Sequence, residues 1–146
     1  MNSTTNAASD APGFPRERAI RTGLGVLAAV NLFTGVFMVV DPAGFVDRIG
    51  PFGEVNDHYV RDVSSWTLAY AAALVIAAGN VSWRVPVIGF GIAQGVLHLV
   101  NHIVDVGEAD PGWVGVFDVV AIAAMIALMW WLLSAVRGEA ARSVVR

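Results

Sequence analysis

Four long apolar stretches dominate the chain, at about residues 20–40, 58–78, 83–104 and 113–136. A helix needs roughly 20 mostly apolar residues to cross a bilayer core about 30 Å thick. The run from 119 to 133 has no charged or strongly polar residue on any face, so it offers no side to water. The pattern therefore predicts an all-α integral membrane protein, an antiparallel, left-handed four-helix bundle, rather than a soluble bundle of buried helices.

Arginines mark one side of the predicted bundle. They precede the first span, lie at the turn between the second and third, and follow the fourth: Arg16, Arg18, Arg21, Arg84, Arg137, Arg142 and Arg146. The opposite loops, 42–57 and 105–112, hold one arginine, Arg48. Because arginine is retained on the cytoplasmic side, both termini are predicted to be cytoplasmic. Residues 1–19 are predicted to form a disordered tail, and 137–146 a second cytoplasmic tail.

The composition narrows the function classes further. Charged residues make up 14% of the 146 positions, against about 25% in a soluble domain. The net charge of -3 leaves no basic surface for nucleic acid. The chain has no cysteine, which excludes thiolate metal sites and the small four-helix membrane oxidoreductases that work through cysteine pairs. The partner that the composition predicts is the lipid bilayer.

The loop at 42–57 is the longest connection between predicted spans. Phe45, Val46, Ile49 and Phe52 give it a partly apolar stripe. Two interpretations stay open. The first is a short interfacial helix over the mouth of the bundle, which is a common arrangement. The second is a lid over a binding site.

The third span carries its ionisable residues on one face. His98 and His102 are four residues apart and Asp105 follows three residues later, so helical periodicity places all three on one side. Gly91 and Gly95 extend this face and allow a neighbouring helix to approach closely. Because ionisable groups inside a membrane usually face the bundle interior, this face is predicted to point inward.

The second and fourth spans add polar groups at a similar depth. His58 and Asp62 begin a stripe on the second span that is also predicted to face inward, and Asp118 is the one ionisable residue of the fourth span. At a rise of about 1.5 Å per residue, Asp62, His102 and Asp118 lie roughly 4 to 7 Å inside the outer ends of their spans. We therefore expect these groups and His98 to converge in one polar layer in the outer half of the bundle.

Three interpretations of this layer stay open. The first is structural, with interhelical hydrogen bonds and ion pairs such as Arg61 with Asp118 or Asp105, each worth about 0.6–2 kcal/mol. The second is a proton or small-ligand site that opens outward, because histidine beside a carboxylate titrates near neutral pH. The third is a metal site, in which His98 and His102 are the first ligands and Asp118 or Asp62 completes a two-histidine, one-carboxylate set.

Several of these features together resemble the DoxX-like group of small four-span bacterial membrane proteins. The likeness rests on the Asp41-Pro42 end of the first span, the long outer loop, the Arg61-Asp62 pair that opens the second span and the histidine-bearing end of the third. It extends over most of residues 20–136. Some members of the group resemble subunits of quinone-linked or thiosulfate-oxidising systems, which implies another membrane protein as a partner.

The patterns and the resemblance together predict a multi-pass protein of the bacterial inner membrane. They favour a non-enzymatic function, either as an accessory subunit or as a binder of a small ligand or ion that uses the outer polar layer. The alternative is a metal- or quinone-dependent membrane oxidoreductase that uses His98 and His102. No substrate, cofactor or catalytic residue follows from the residues themselves.

Overall fold

Helices account for most of the structure. The computed structural model describes residues 14–144 and contains five helices in that range. They are α1 Phe14–Val40, α2 Pro42–Arg48, α3 Asp57–Gly79, α4 Val81–Val104 and α5 Trp113–Val144. Four of them, all but α2, are long and apolar enough to cross a membrane. This confirms the prediction of an all-α chain with four helices capable of spanning a bilayer.

The first and last helices extend beyond the predicted spans. α1 begins at Phe14 rather than at about residue 20, and α5 continues to Val144 rather than ending at about residue 136. Residues 14–19 and 137–144, predicted as tails, are therefore helical. Hydropathy marks the edge of the apolar stretch rather than the end of the helix, and arginine, glutamate and alanine are good helix formers. The tail predictions for the remaining terminal residues lie outside the described part of the chain.

Polar side chains fix where three of the helices start. Asp41 accepts a hydrogen bond from the Gly44 amide at 2.9 Å, and Pro42 occupies the first turn of α2, where its missing N–H costs nothing. The Asn56 side chain caps α3 in the same way, and the Asn80 side chain caps α4. The short helix that was one interpretation of the 42–57 loop is therefore present as α2.

The four long helices pack in a ring. α1 contacts α3 and α5, and α4 contacts the same two helices, so α3 and α5 lie at opposite corners of the described bundle. Large apolar side chains from all four helices fill the centre, among them Ile20, Leu24, Leu74, Ile88, Ile126 and Leu132. We call the end that holds His102 and Asp118 the histidine end, and the end that holds Glu17 and Arg84 the arginine end.

Apolar side chains also cover the outer surface of the bundle. Phe33, Val75, Leu97 and Val120 come from four different helices and are 68%, 63%, 70% and 61% exposed. A water-soluble monomer rarely exposes apolar side chains on every side. A surface of this kind fits hydrocarbon, in which helices satisfy all their backbone hydrogen bonds internally.

Candidate functional site

The last turns of α4 present two histidines side by side. His98 and His102 are four residues apart, and their imidazole rings meet edge to face with centroids 4.6 Å apart. His102 is half-buried, whereas His98 is exposed. The four-residue spacing therefore brings the two rings together as expected for one helix face, and His102 is the member that points into the bundle.

Asp118 reaches His102 from α5. Their side chains are 11% and 16% exposed, and His102 Nδ1 lies 3.7 Å from Asp118 Oδ2. α5 begins at Trp113 after a short loop, so its second turn comes level with the last turn of α4. The structure thus brings together three of the four residues that were expected to converge.

Neither of these two facing atoms has a hydrogen-bond partner, although both are buried. Their separation of 3.7 Å exceeds the range of about 2.7–3.2 Å for an N–H···O bond. A carboxylate oxygen only accepts, and Nδ1 of a neutral imidazole protonated on Nε2 also accepts. A buried polar atom without a partner costs about 1–3 kcal/mol, so in that tautomer a cation or a hydrogen-bond donor between the two atoms would satisfy both.

A segment of the loop after α2 covers His102. The Phe52 ring meets the His102 ring edge to face, with centroids 5.0 Å apart. The neighbouring Pro51 carbonyl accepts a hydrogen bond from the Asp110 amide at 3.3 Å, which ties this loop to the loop between α4 and α5. The 42–57 connection therefore contains both a short helix and a segment that contacts His102.

The polar residues at the start of α3 stay apart from this group. His58 Nε2 lies 3.3 Å from Asp62 Oδ2, and the two side chains are 89% and 68% exposed. Arg61 pairs with Asp57 of the same helix at 3.4 Å, rather than with a carboxylate of α4 or α5. Both pairs join neighbouring turns of α3, and exposed pairs of this kind contribute little to stability.

The inward orientation predicted for this stripe of α3 is therefore corrected. His58, Asp62 and the small residues that continue their stripe are exposed, and the buried face of α3 is formed by Val60, Ser64, Ala71, Leu74 and Ala77. α3 packs between α1 and α4, and among the described residues its backbone stays away from that of α5, which it meets through side chains such as Tyr70 and Met129. The exposed Asp62 pairs with His58 of its own helix rather than with Asp118.

Asp105 ends α4 rather than extending the candidate site. It is exposed, and its backbone amide donates to the Asn101 carbonyl at 2.9 Å. Within residues 14–144, no group of three or more His, Asp or Glu side chains is placed to hold a metal ion. The complete set of His98, His102 and Asp118 as metal ligands stays a prediction, and the facing pair in the structure is His102 with Asp118.

An ion pair with a buried arginine lies at the arginine end, where no site was predicted. Arg84 is 1% exposed, and its two terminal nitrogens donate to the two carboxylate oxygens of Glu17 at 2.7 Å each. Its Nε donates to the Ala77 carbonyl at 3.2 Å, and Arg21 adds a second guanidinium to Glu17 at 2.6 Å. This fork-shaped contact joins the starts of α1 and α4 to the end of α3.

From the sequence, Arg84 counts only as a marker of the cytoplasmic side. The signal in the sequence that points to the ion pair is an acidic residue among the arginines that precede the first span. Glu17 stands alone among Arg16, Arg18 and Arg21. A single acidic residue at the start of a span and a single arginine at the start of another are candidates for one interhelical pair.

No family model matches the chain, and no curated protein or solved structure matches it either. The resemblance to the DoxX-like group therefore stays a prediction.

Proposed function

We propose that the protein is an antiparallel four-span bundle of the bacterial inner membrane that binds a small cation between His102 and Asp118. The observation that carries the proposal is the pair of buried acceptor atoms that face each other without a partner. With the His102 proton on Nε2, both atoms are acceptors, and a cation between them satisfies both at once. The protein then acts as a binder, alone or as an accessory subunit of a DoxX-like system, rather than as an enzyme.

The spacing of the two atoms suits a directly coordinated ion. Bonds of about 2.1 Å from a zinc-like ion to an imidazole nitrogen and a carboxylate oxygen separate these two atoms by roughly 3.4 Å at a tetrahedral angle and 3.6 Å at a trigonal one. The separation of His102 Nδ1 and Asp118 Oδ2 is 3.7 Å. Only a small shift is therefore needed to bring both atoms into bonding distance.

The surroundings favour an ion that exchanges rather than one that is locked in place. Closed structural zinc sites have four protein ligands, whereas this pair supplies two and leaves the other positions to water or to the adjacent His98 imidazole. Phe52 covers the pair from a loop, not from a helix of the bundle. A site of this kind, near one end of the bundle and under a loop, suits uptake and release of the ion on the outer side.

Zinc titration tests this proposal with a control built into the chain. We expect the purified protein in detergent to bind one equivalent of Zn²⁺ saturably by calorimetry. His102→Ala and Asp118→Asn should each weaken binding by at least about tenfold, a loss of about 1.4 kcal/mol. His58→Ala and Asp62→Asn are the matched controls, because this exposed pair has the same two side-chain types at 3.3 Å. Unsaturable binding by the parent protein, or equal losses in both sets, would overturn the proposal.

The proposed orientation makes a separate prediction. Alkaline phosphatase fused after Arg146 is expected to be inactive, and a fluorescent protein at the same position active, because the arginine-rich side stays in the cytoplasm. Alkaline phosphatase fused after Glu108, in the opposite loop, should be active. Strong phosphatase activity after Arg146 would reverse the assignment of the two sides.

A further inference from the structure

A large groove lies between α3 and α4, away from the His102–Asp118 pair. Its volume is about 510 Å³, within the range of about 300–1,000 Å³ that is typical of small-molecule sites. Four aromatic side chains line it, and the rings of two of them, Trp66 and Phe90, meet edge to face at 5.5 Å. The other two are Tyr70 and Trp83. Trp66, Trp83 and Phe90 are half-exposed, so the groove opens on the face of the bundle that meets lipid.

A smaller polar cavity of about 40 Å³ shares three of these aromatic residues and adds Asn31, Thr67 and Gln94. Thr67 donates its hydroxyl hydrogen to the Val63 carbonyl, and the Asn31 amide donates one of its two hydrogens to the Leu27 carbonyl. The Gln94 amide makes no hydrogen bond to another residue among those described, although it lies inside a span. It therefore offers both a donor and an acceptor next to an otherwise apolar groove.

We propose that this groove binds a neutral, membrane-soluble amphiphile, with its apolar chain along the aromatic side chains and its small uncharged polar group at Gln94. No charged residue lines either cavity, and a charged head group without a counter-charge is too costly to bury there. Gln94 lies about 20 Å along a helix roughly 36 Å long, close to mid-membrane depth. A phospholipid keeps its head group at the interface, so this depth selects a ligand whose polar group is uncharged and small.

Tryptophan quenching tests the proposal, because Trp66 and Trp83 line the groove. The other three tryptophans, Trp113, Trp130 and Trp131, are replaced by phenylalanine, and the protein is placed in phosphatidylcholine vesicles. Dibromostearyl alcohol is then titrated in. We expect the alcohol to quench the tryptophan fluorescence saturably. Its quenching should be stronger than that by dibrominated phosphatidylcholine or dibromostearate at equal bromine content.

Three variants show where the probe binds. Ala69→Phe fills the groove and should abolish the saturable part, whereas Ala72→Phe, three residues on and outside the groove, should leave it intact. Gln94→Leu should weaken binding by about three- to tenfold, the value of one hydrogen bond, in protein shown by circular dichroism to be folded. Quenching that rises linearly like that of the bulk lipid, equal binding of the carboxylate, or saturable binding that survives Ala69→Phe would overturn the proposal.

Discussion

Replacing Arg84 with alanine is expected to lower the free energy of unfolding by about 1.5–3 kcal/mol, the value of a hydrogen bond to a charged group, because the Glu17 carboxylate left behind is 33% exposed and keeps Arg21 as a partner. The Arg84 side chain is 1% exposed and forms both bonds of a bidentate contact with Glu17. The variant also leaves the Ala77 carbonyl without its donor. Chemical unfolding in detergent micelles, followed by circular dichroism, measures the loss.

Arg21 provides the matched control, because it contacts the same carboxylate from an exposed position. Its side chain is 59% exposed, so Arg21→Ala should cost only about 0.3–0.5 kcal/mol. The double change Glu17→Leu with Arg84→Met should cost less than Arg84→Ala, because a well-packed apolar pair can replace a buried ion pair. Equal losses for Arg84→Ala and Arg21→Ala would show that the Arg84 pair does not hold the arginine end together.

Gly91→Leu is the second substitution for which a large loss is expected. A side chain on Gly91 would overlap the Tyr70 hydroxyl of α3, and its first carbon would lie 2.8 Å from the Met129 sulfur of α5. Two neighbouring helices would have to move apart, and overpacking of this kind costs up to about 3 kcal/mol. The same unfolding measurement should therefore show a loss of about that size. Gly95→Leu should follow in the same direction, because its first carbon would lie 3.0 Å from Ile126.

Gly89 is the control on the same helix, two residues away. A side chain there would meet nothing within 4 Å, so Gly89→Leu should leave stability unchanged or raise it by up to about 1 kcal/mol through helix propensity. Val100→Leu, at an exposed position of α4, should also be tolerated. If Gly91→Leu were as stable as Gly89→Leu, the close approach of α3 and α5 to α4 would be disproved.

The helices and three of the four residues expected to converge at the candidate site follow from simple patterns. Long apolar stretches without charges predict helices capable of spanning, because the bilayer sets the length and hydropathy that such a helix needs. The contact of His102 with Asp118 follows from the short loop between α4 and α5, which makes sequence neighbours into spatial neighbours. The four-residue step to His98 supplies the third side chain.

The rotation of α3 about its axis does not follow from such patterns. In water, the polar face of a helix marks its exposed side. In a membrane both the core and the surroundings are apolar, so the exposed Ala69 and Ala72 look no different from the buried Ala71 and Leu74. The small side chains of Ala69 and Ala72 suggested that their face packs against a neighbouring helix. In the structure, the face with Ala71 and Leu74 packs there instead.

The pairing of Arg84 with Glu17 was missed for a different reason. The two residues are 67 positions apart, so no local spacing links them. Arginines near span ends also have a general explanation in membrane orientation, which hides the individual residue that is buried. Only the packing of α1, α3 and α4 shows which arginine lies inside the bundle.

The most direct test of the proposed cation site follows the resonance of the His102 imidazole nitrogen that faces Asp118. In nuclear magnetic resonance spectra of protein with nitrogen-labelled histidine, one equivalent of Zn²⁺ should shift the Nδ1 resonance of His102 to saturation and leave both nitrogens of His58 unchanged. Such a result would place the ion at the atom that lacks a partner in the structure. An Nδ1 resonance of His102 that does not move with zinc, or that moves only in step with the His58 resonances, would contradict a cation site between His102 and Asp118.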